Sequence, residues 1–356
     1  MLYLVLFIAA FCFTVFFTPL VKKFANRYGF VDIPRPPRNL HQKPIAKLGG
    51  VAIFLATTIC IAFYISYGGI NFEIVPLKFL LATIGGGLLV TLGGFLDDKY
   101  NLSAKYLWFF PALAALVVVW SGIGVGITTL SNPFGAHIDL NFAIATIPAS
   151  AIFIFLWMIG MMFTTKFLDG LDGLVAGIGL IAGLTLFVLS LADHINQPIT
   201  ASLSIILVGS LAGYLIFAFH PAKIFLGEGG SLLIGFLLGV FSVILGGKIA
   251  TALLVMGIPI LDVAWVIAQR LYNHQSPFIG DRLHLHFKLL DLGFSQKQTA
   301  VILYLISAGF GFTAVFLQSM GKLVALLVLF VVMVMIILGV VYGYKKQQVK
   351  VLTTSK

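Results

Sequence analysis

The sequence predicts an all-α integral membrane protein, in which a single domain over residues 1–356 forms a polytopic bundle of about eleven transmembrane helices. Composition is the first reason: 60% of the residues are hydrophobic and only 10% are charged, whereas soluble domains carry about a quarter charged residues. The mean hydropathy of +1.09 also excludes a disordered chain. The apolar residues run on without strict alternation, which favours helices over a transmembrane barrel.

Each predicted helix is a mostly apolar stretch of about 20 residues, the length that crosses the hydrocarbon core of a bilayer. In chain order the stretches are 2–20, 47–67, 78–96, 105–121, 146–163, 174–192, 200–218, 230–245, 249–268, 299–317 and 322–343. The first has no basic leader or small-residue cleavage site, so we expect a helix and not a cleaved signal peptide. Cys12 and Cys60 lie inside apolar stretches, so neither a disulfide framework nor a cysteine metal cluster is expected.

The basic residues are concentrated on one side of the predicted bundle. With the N-terminus outside, 19 of the 22 basic residues fall on one side, and only Lys78, Lys248 and Lys322 fall on the other. The positive-inside rule therefore predicts a cytoplasmic C-terminus in a multi-pass plasma-membrane protein. The net charge of +10 is then explained by topology and by anionic lipid or substrate, and no nucleic-acid partner is expected.

The acidic residues show the same bias, although carboxylates do not follow the positive-inside rule. Nine of the twelve lie at the predicted cytoplasmic side. This distribution favours a reaction at the inner leaflet over a pathway through the membrane, which would need ionisable residues along its depth. The segments predicted to carry the site are 21–47, 97–105, 164–173, 219–229 and 269–298.

Two acidic motifs end predicted spans. Asp97 and Asp98 close the third one in GGFLDDKYNLS, and Asp169 and Asp172 follow the fifth in the double turn DGLDG. Adjacent carboxylates disfavour each other's ionisation unless a cation is near, so the first pair indicates a magnesium and phosphate site. The alternatives are a solvated helix end with Lys99 as counter-ion for the first motif and a simple helix N-cap at Asp172 for the second.

Three further segments carry candidate residues. Glu228 is enclosed by glycines just before a helix N-terminus, with Lys223 upstream; the free N–H groups there could attract Glu228 itself or a phosphate, or the segment could be only a cap and a flexible turn. Asp262 follows the helix-interrupting Pro259 in apolar surroundings, which indicates either a functional site or a hydrogen bond to a neighbouring helix. Arg282, His284 and His286 in DRLHLH suit phosphate contacts, with a metal site or a solvated loop as alternatives. The charge of the basic, proline-rich first loop is fully explained by topology.

Taken in order, these motifs resemble the polyprenyl-phosphate N-acetylhexosamine-1-phosphate transferase family. The resemblance rests on VDIPRPPRNLHQKPIAKLGG, FLDDKYNLSAK, KFLDGLDGL, HPAKIFLGEGGS, PILD and SPFIGDRLHLH. It implies transfer of a sugar-1-phosphate from a UDP-sugar to a membrane polyprenyl phosphate with release of UMP, in the branch that uses UDP-GlcNAc and undecaprenyl phosphate. A phospho-N-acetylmuramoyl-pentapeptide transferase-like enzyme and a non-enzymatic transporter of lipid-linked sugars are the alternatives, and a homodimer is allowed.

The resemblance also implies roles for the candidate residues. Glu228 with Asp97, Asp98 or both would hold Mg²⁺, for which Mn²⁺ could substitute, and the remaining aspartate of the pair would orient or deprotonate the lipid phosphate. The other roles are nucleotide or metal-water positioning by Asp169 and Asp172, a grip on the pyrophosphate by Arg282, His284 and His286, and charge balance by Lys105 and Lys223.

The chain departs from the family pattern at several positions. Glu228 stands where the family has Asp, and Lys166 and Phe163 stand where it usually has Asn. Ala218 also replaces an Asn, and Phe287 follows His286 where a second histidine is common.

Overall fold

The computed structural model describes residues 1–34, 43–127, 129–130, 138–140, 142–144, 147–193, 195–245, 248–275, 283–317, 320–335 and 339. This part of the chain is mainly helical, which confirms the predicted class. Its helices are α1 (Leu2–Tyr28), α2 (Gly49–Ser66), α3 (Leu77–Tyr100), α4 (Ala104–Ser121), α5 (Ala149–Leu168), α6 (Leu174–Leu191), α7 (Pro198–Ala218), α8 (Glu228–Val243), α9 (Ile249–Val255), α10 (Gly257–Tyr272), α11 (Leu285–Asp291), α12 (Gln296–Phe316) and α13 (Met320–Met335).

Short antiparallel strand pairs interrupt the helices. The pairs are β1 (Val31–Asp32) with β2 (Ile45–Ala46), β3 (Thr129–Leu130) with β4 (Ile138–Asp139), and β5 (Ala143–Ile144) with β6 (Ile147–Pro148). The first pair is described further, because the chain around β2 also forms backbone hydrogen bonds with Phe225, a residue distant in the sequence. The Phe225 N–H donates to the Ala46 carbonyl at 2.8 Å, and the Gly49 N–H donates to the Phe225 carbonyl at 2.9 Å. The first loop is thereby fastened to the segment that precedes α8.

The eleven predicted stretches all contain helix, but they differ in length. Among the described residues, seven helices are long and apolar enough to cross a membrane, namely α1, α2, α3, α5, α6, α7 and α12. The pair α9 and α10 would make an eighth span, bent by 78°. Shorter apolar helical segments of 10–17 described residues lie in the other three stretches, namely Trp108–Ser121 within α4, Glu228–Val243 (α8) and Met320–Met335 (α13). The membrane-crossing count of eleven and the outside N-terminus therefore stay predictions.

The sequence suggested that Pro259 interrupts the helix in the ninth stretch, but the break lies at another residue. The helix is interrupted at Met256, and Pro259 lies in the first turn of α10. A proline in the first turn is tolerated because the N–H groups there have no partner within the helix.

Helix α8 lies at the centre of the bundle. Every residue from Gly229 to Val243 is buried, and the helix packs against α2, α3, α5 and α6. Its 16 residues span about 24 Å, less than the hydrocarbon thickness of about 30 Å. A helix that is apolar on all sides and surrounded by other helices is a core element.

Glycines allow α3 to approach the first turn of α8 very closely. A Cβ atom built on Gly94 of α3 would lie 1.9 Å from the Gly229 backbone nitrogen. A Cβ atom built on Gly50 of α2 would lie 2.1 Å from the Gly230 Cα. Three backbones therefore meet where α8 begins, and small-residue contacts of this kind are typical of membrane helices.

Candidate functional site

The site is built around the first turn of α8. The Glu228 backbone N–H, one of the free donors at this helix N-terminus, donates to Asp98 Oδ2 at 3.1 Å. Gly227, just before it, has a φ of +74°, and a Cβ there would lie 2.4 Å from the same Asp98 oxygen. The glycine is required both for the backbone conformation and for the approach of Asp98.

Asp98 is a nearly inaccessible carboxylate with a lysine partner. Its side chain is 1% exposed, and its Oδ1 lies 3.4 Å from Lys47 Nζ. Lys47 follows β2 and also lies 3.9 Å from Asp32 Oδ1. The alternative drawn from the sequence was that Lys99 is the counter-ion of this aspartate pair. Lys99 instead donates a hydrogen bond to the Tyr28 carbonyl at 2.6 Å. The solvated-helix-end alternative is therefore wrong, because Asp98 is buried and its partner comes from the first loop.

Asp97 serves the backbone of its own helix end. Its Oδ1 accepts a hydrogen bond from the Leu102 N–H at 2.8 Å, and its carbonyl accepts one from the Asn101 N–H, also at 2.8 Å. Asn101 is in the left-handed conformation that ends α3. The two adjacent aspartates thus have separate surroundings: Asp97 closes the turn after α3, and Asp98 faces α8.

Asp172 anchors the loop that precedes α8. Its Oδ2 lies 2.7 Å from His220 Nδ1 and accepts a hydrogen bond from the Ala222 N–H at 3.0 Å. It is not the N-cap of α6: Gly173 occupies that position, and no side chain caps the helix. The N-cap alternative for Asp172 is therefore wrong, since its carboxylate links the DGLDG turn to residues 219–227.

Asp169, at the end of α5, is the most open carboxylate of the group. The nearby Ser231 hydroxyl of α8, which donates to the Glu228 carbonyl at 3.2 Å, favours the ionised form of Asp169 and lowers its pKa. Neighbouring protein atoms reduce the solvation of the Asp169 carboxylate, and repulsion from Glu228 and Asp98 adds to the effect, so the pKa of Asp169 lies above its usual value. A bound cation would oppose this rise.

Lys166 supplies the second lysine partner. Its Nζ lies 2.7 Å from Glu228 Oε2, and the two side chains are 16% and 37% exposed. Lys223, which was expected to balance the acids, is exposed and makes no ion pair within the part of the chain that the structure describes. The acidic residues are instead balanced by Lys47 and Lys166.

The histidine segment packs against the DGLDG turn. Asp262 Oδ2 lies 2.8 Å from His284 Nδ1, and Asp262 Oδ1 accepts the Leu285 N–H at 2.9 Å. His286 packs so closely on the turn that a Cβ at Gly170 would lie 2.2 Å from its Nε2. Asp262 therefore has a partner among the predicted site residues, and it fixes the orientation of the His284 ring, which stacks on Phe167 and His286.

Two predicted contacts lie outside the described parts. Arg282 falls in 276–282, which the structure does not describe, and Lys105 belongs to α4 without a described side chain. Three site residues were not predicted as such: Lys47, Lys166 and His220. The glycine pair Gly49–Gly50, two residues after Lys47, was a usable signal for close packing, and the signal for His220 was its place in the HPAKIF motif.

The carboxylates lie close enough to repel one another. Such a group suits a hard divalent cation that also binds a phosphate. Asp97, Asp98 and Asp169 are each repelled by Glu228. No group of three or more His, Cys, Asp or Glu side chains among the described residues is arranged to hold a metal ion alone. Mg²⁺ does not need such a cage, since it is commonly bound by one or two carboxylates, substrate phosphates and water. The buried oxygens Asp98 Oδ1 and Glu228 Oε2, each facing a lysine, are the donors of the right chemistry.

The chain is similar to several known proteins. The sequence profile of glycosyl transferase family 4 matches residues 79–246. The chain is 30% identical, over 98% of its length and 94% of the relative, to the probable undecaprenyl-phosphate N-acetylglucosaminyl 1-phosphate transferase of Bacillus subtilis (strain 168). It is 32% identical to the decaprenyl-phosphate N-acetylglucosaminephosphotransferase of Mycobacterium tuberculosis (strain ATCC 25618 / H37Rv), over 82% of the chain and 76% of the relative. It is 29% identical to the phospho-N-acetylmuramoyl-pentapeptide-transferase of Oceanobacillus iheyensis, over 88% and 97%.

Proposed function

Because this chain belongs to glycosyl transferase family 4, among the polyprenyl-phosphate N-acetylhexosamine-1-phosphate transferases, we propose that it transfers N-acetylglucosamine-1-phosphate from UDP-GlcNAc to a polyprenyl phosphate and releases UMP. The observation that carries the proposal is the meeting of acids from α3, the α5–α6 turn and α8 with Lys47 and Lys166 at one end of the bundle. In such a mixture of carboxylates and lysines, the carboxylates suit a divalent cation and the lysines suit a diphosphate and a lipid phosphate.

The proposed reaction is a phosphoryl transfer. An oxygen of the lipid phosphate attacks the phosphorus that carries the sugar, and the bond from that phosphorus to the bridging oxygen breaks, so UMP leaves with that oxygen. Catalysis of this kind depends on positioning and on stabilising charge on the phosphoryl oxygens. The chain needs no covalent intermediate and no strong base, since the lipid phosphate loses its second proton near neutral pH.

We assign the cation to Asp98 and Glu228. Mg²⁺, or Mn²⁺ in its place, would polarise the diphosphate and neutralise charge on the leaving UMP. Asp97 positions Asp98 by closing the turn after α3. Asp169, the most open carboxylate, would orient the incoming lipid phosphate.

The histidine segment would complete the donor site. Asp262 accepts from the Leu285 backbone and is paired with His284 Nδ1, which fixes the ring beside the DGLDG turn. The Asp172–His220 pair performs a similar task for the loop before α8. We propose that His284 and His286, together with Arg282, contact the pyrophosphate.

The placement of the site supports a reaction at the inner leaflet. Asp98 near the end of α3, Asp169 just after α5 and Glu228 at the start of α8 meet at one end of the bundle. The predicted topology with eleven spans and an external N-terminus puts this end in the cytoplasm of a plasma-membrane protein, where UDP-sugars are made.

The test is a UMP-release assay with purified protein, polyprenyl phosphate and a panel of UDP-sugars, each with and without Mg²⁺. We expect UMP and a lipid-linked product from UDP-GlcNAc, only with the cation present. UMP release only from UDP-N-acetylmuramoyl-pentapeptide would assign the chain to the other branch. No UMP with any donor would leave the transporter alternative.

A further inference from the structure

The ion pair between Lys166 and Glu228 occupies the centre of the acidic cluster. Lys166 lies in the last turn of α5, and its Nζ is 2.7 Å from Glu228 Oε2, a buried oxygen. Glu228 is also the carboxylate whose charge acts on Asp97, Asp98 and Asp169. Lys166 therefore supplies the positive charge at the point where negative charge is densest.

This position conflicts with a divalent cation bound to the same carboxylate. A cation bound to Glu228 Oε2 would repel the Lys166 ammonium at this distance strongly, because the oxygen is shielded from water. Lys166 can relieve the conflict, since its ammonium sits on a flexible four-carbon stem. The proposed donor brings a diphosphate to the same cluster, which offers the displaced ammonium a new partner.

We propose that Lys166 is a displaceable counter-ion: it pairs with Glu228 in the free protein and moves to the donor's diphosphate when a divalent cation binds. The inference rests on the proposed function for the identity of the donor. Its consequence is cooperative binding, because the diphosphate removes the lysine that competes with the cation, and the coupling is reciprocal. Without a diphosphate, the protein binds the cation weakly.

The first test measures Mn²⁺ binding to the purified full-length protein in detergent by electron paramagnetic resonance, with no nucleotide. Lys166→Met should bind Mn²⁺ about tenfold more tightly than the unmodified protein, which is within the usual range for coupled sites. A gain in affinity cannot arise from a variant that fails to fold. Lys166→Arg, which keeps the charge, should stay close to the unmodified protein.

Lys99→Met is the matched control. It removes the same charge one residue from Asp98, but the Lys99 ammonium is bonded to the Tyr28 carbonyl and lies 4.9 Å from the Phe30 ring centroid. Any long-range effect of lost positive charge appears in both variants. Equal Mn²⁺ affinities in Lys166→Met and Lys99→Met would overturn the proposal.

The second test adds UDP, which carries the diphosphate without the sugar. UDP should tighten Mn²⁺ binding several-fold more in the unmodified protein than in Lys166→Met, because only the former has a lysine to transfer. The same gain in both proteins would contradict the movement of Lys166. If UDP-GlcNAc yields UMP but the Mn²⁺ affinity of Lys166→Met equals that of the unmodified protein, the inference fails and the proposed function stands. If Lys166→Met tightens Mn²⁺ binding but no donor yields UMP, the counter-ion role stands and the proposed function fails.

Discussion

The close crossing of α3 and α8 allows a sharp test of how the acidic cluster is positioned. In Gly94→Ala, the added Cβ would lie 1.9 Å from the Gly229 nitrogen and 2.1 Å from its Cα, and both are backbone atoms that no rotamer change can move. Ordinary contact begins at 3.4 Å, so the two helices must separate by about 1.5 Å. Asp98 lies one turn further along α3, and its 3.1 Å hydrogen bond to the Glu228 N–H would be lost.

We expect UMP release by Gly94→Ala to fall about 100-fold, the effect of misplacing reacting groups by about 1 Å. Overpacking should also lower the free energy of unfolding by about 1–3 kcal/mol. The measurements are turnover and thermal unfolding of the purified variant. Gly85→Ala is the control, since a Cβ at this position of the same helix meets nothing within 4 Å. Normal turnover in Gly94→Ala would refute the argument that this backbone contact positions Asp98.

Three further outcomes follow from the same contacts. Asp98→Asn removes the charge that faces Lys47 and should lower UMP release at least about 100-fold; unchanged turnover and magnesium dependence would exclude the acidic cluster as the cation site. His220→Ala removes the imidazole that pairs with Asp172 and should reduce turnover about tenfold. The control His274→Ala, at an exposed histidine, should leave turnover unchanged. Removal of divalent cations with EDTA should abolish UMP release, and Mg²⁺ or Mn²⁺ should restore it; activity that persists in EDTA would contradict the metal assignment.

The helical class and the position of most candidate residues could be predicted from local properties. Apolar stretches of the right length identify helices wherever they are found, and Asp97, Asp98, Asp169, Asp172 and Glu228 mark the ends of those helices. The break lies at Met256, three residues before the proline that was expected to cause it, because a proline in the first turn of a helix removes no hydrogen bond of that helix.

The sequence by itself determined that this is a membrane protein with its acids gathered at helix ends, because hydropathy and charge act residue by residue. Only the tertiary structure decided which lysine meets which acid: Lys47 with Asp98, Lys166 with Glu228, and neither Lys99 nor Lys223. An ion pair between distant segments depends on the rotation and separation of whole helices. Those are set by contacts such as Gly94 on Gly229, which no local pattern of residues specifies.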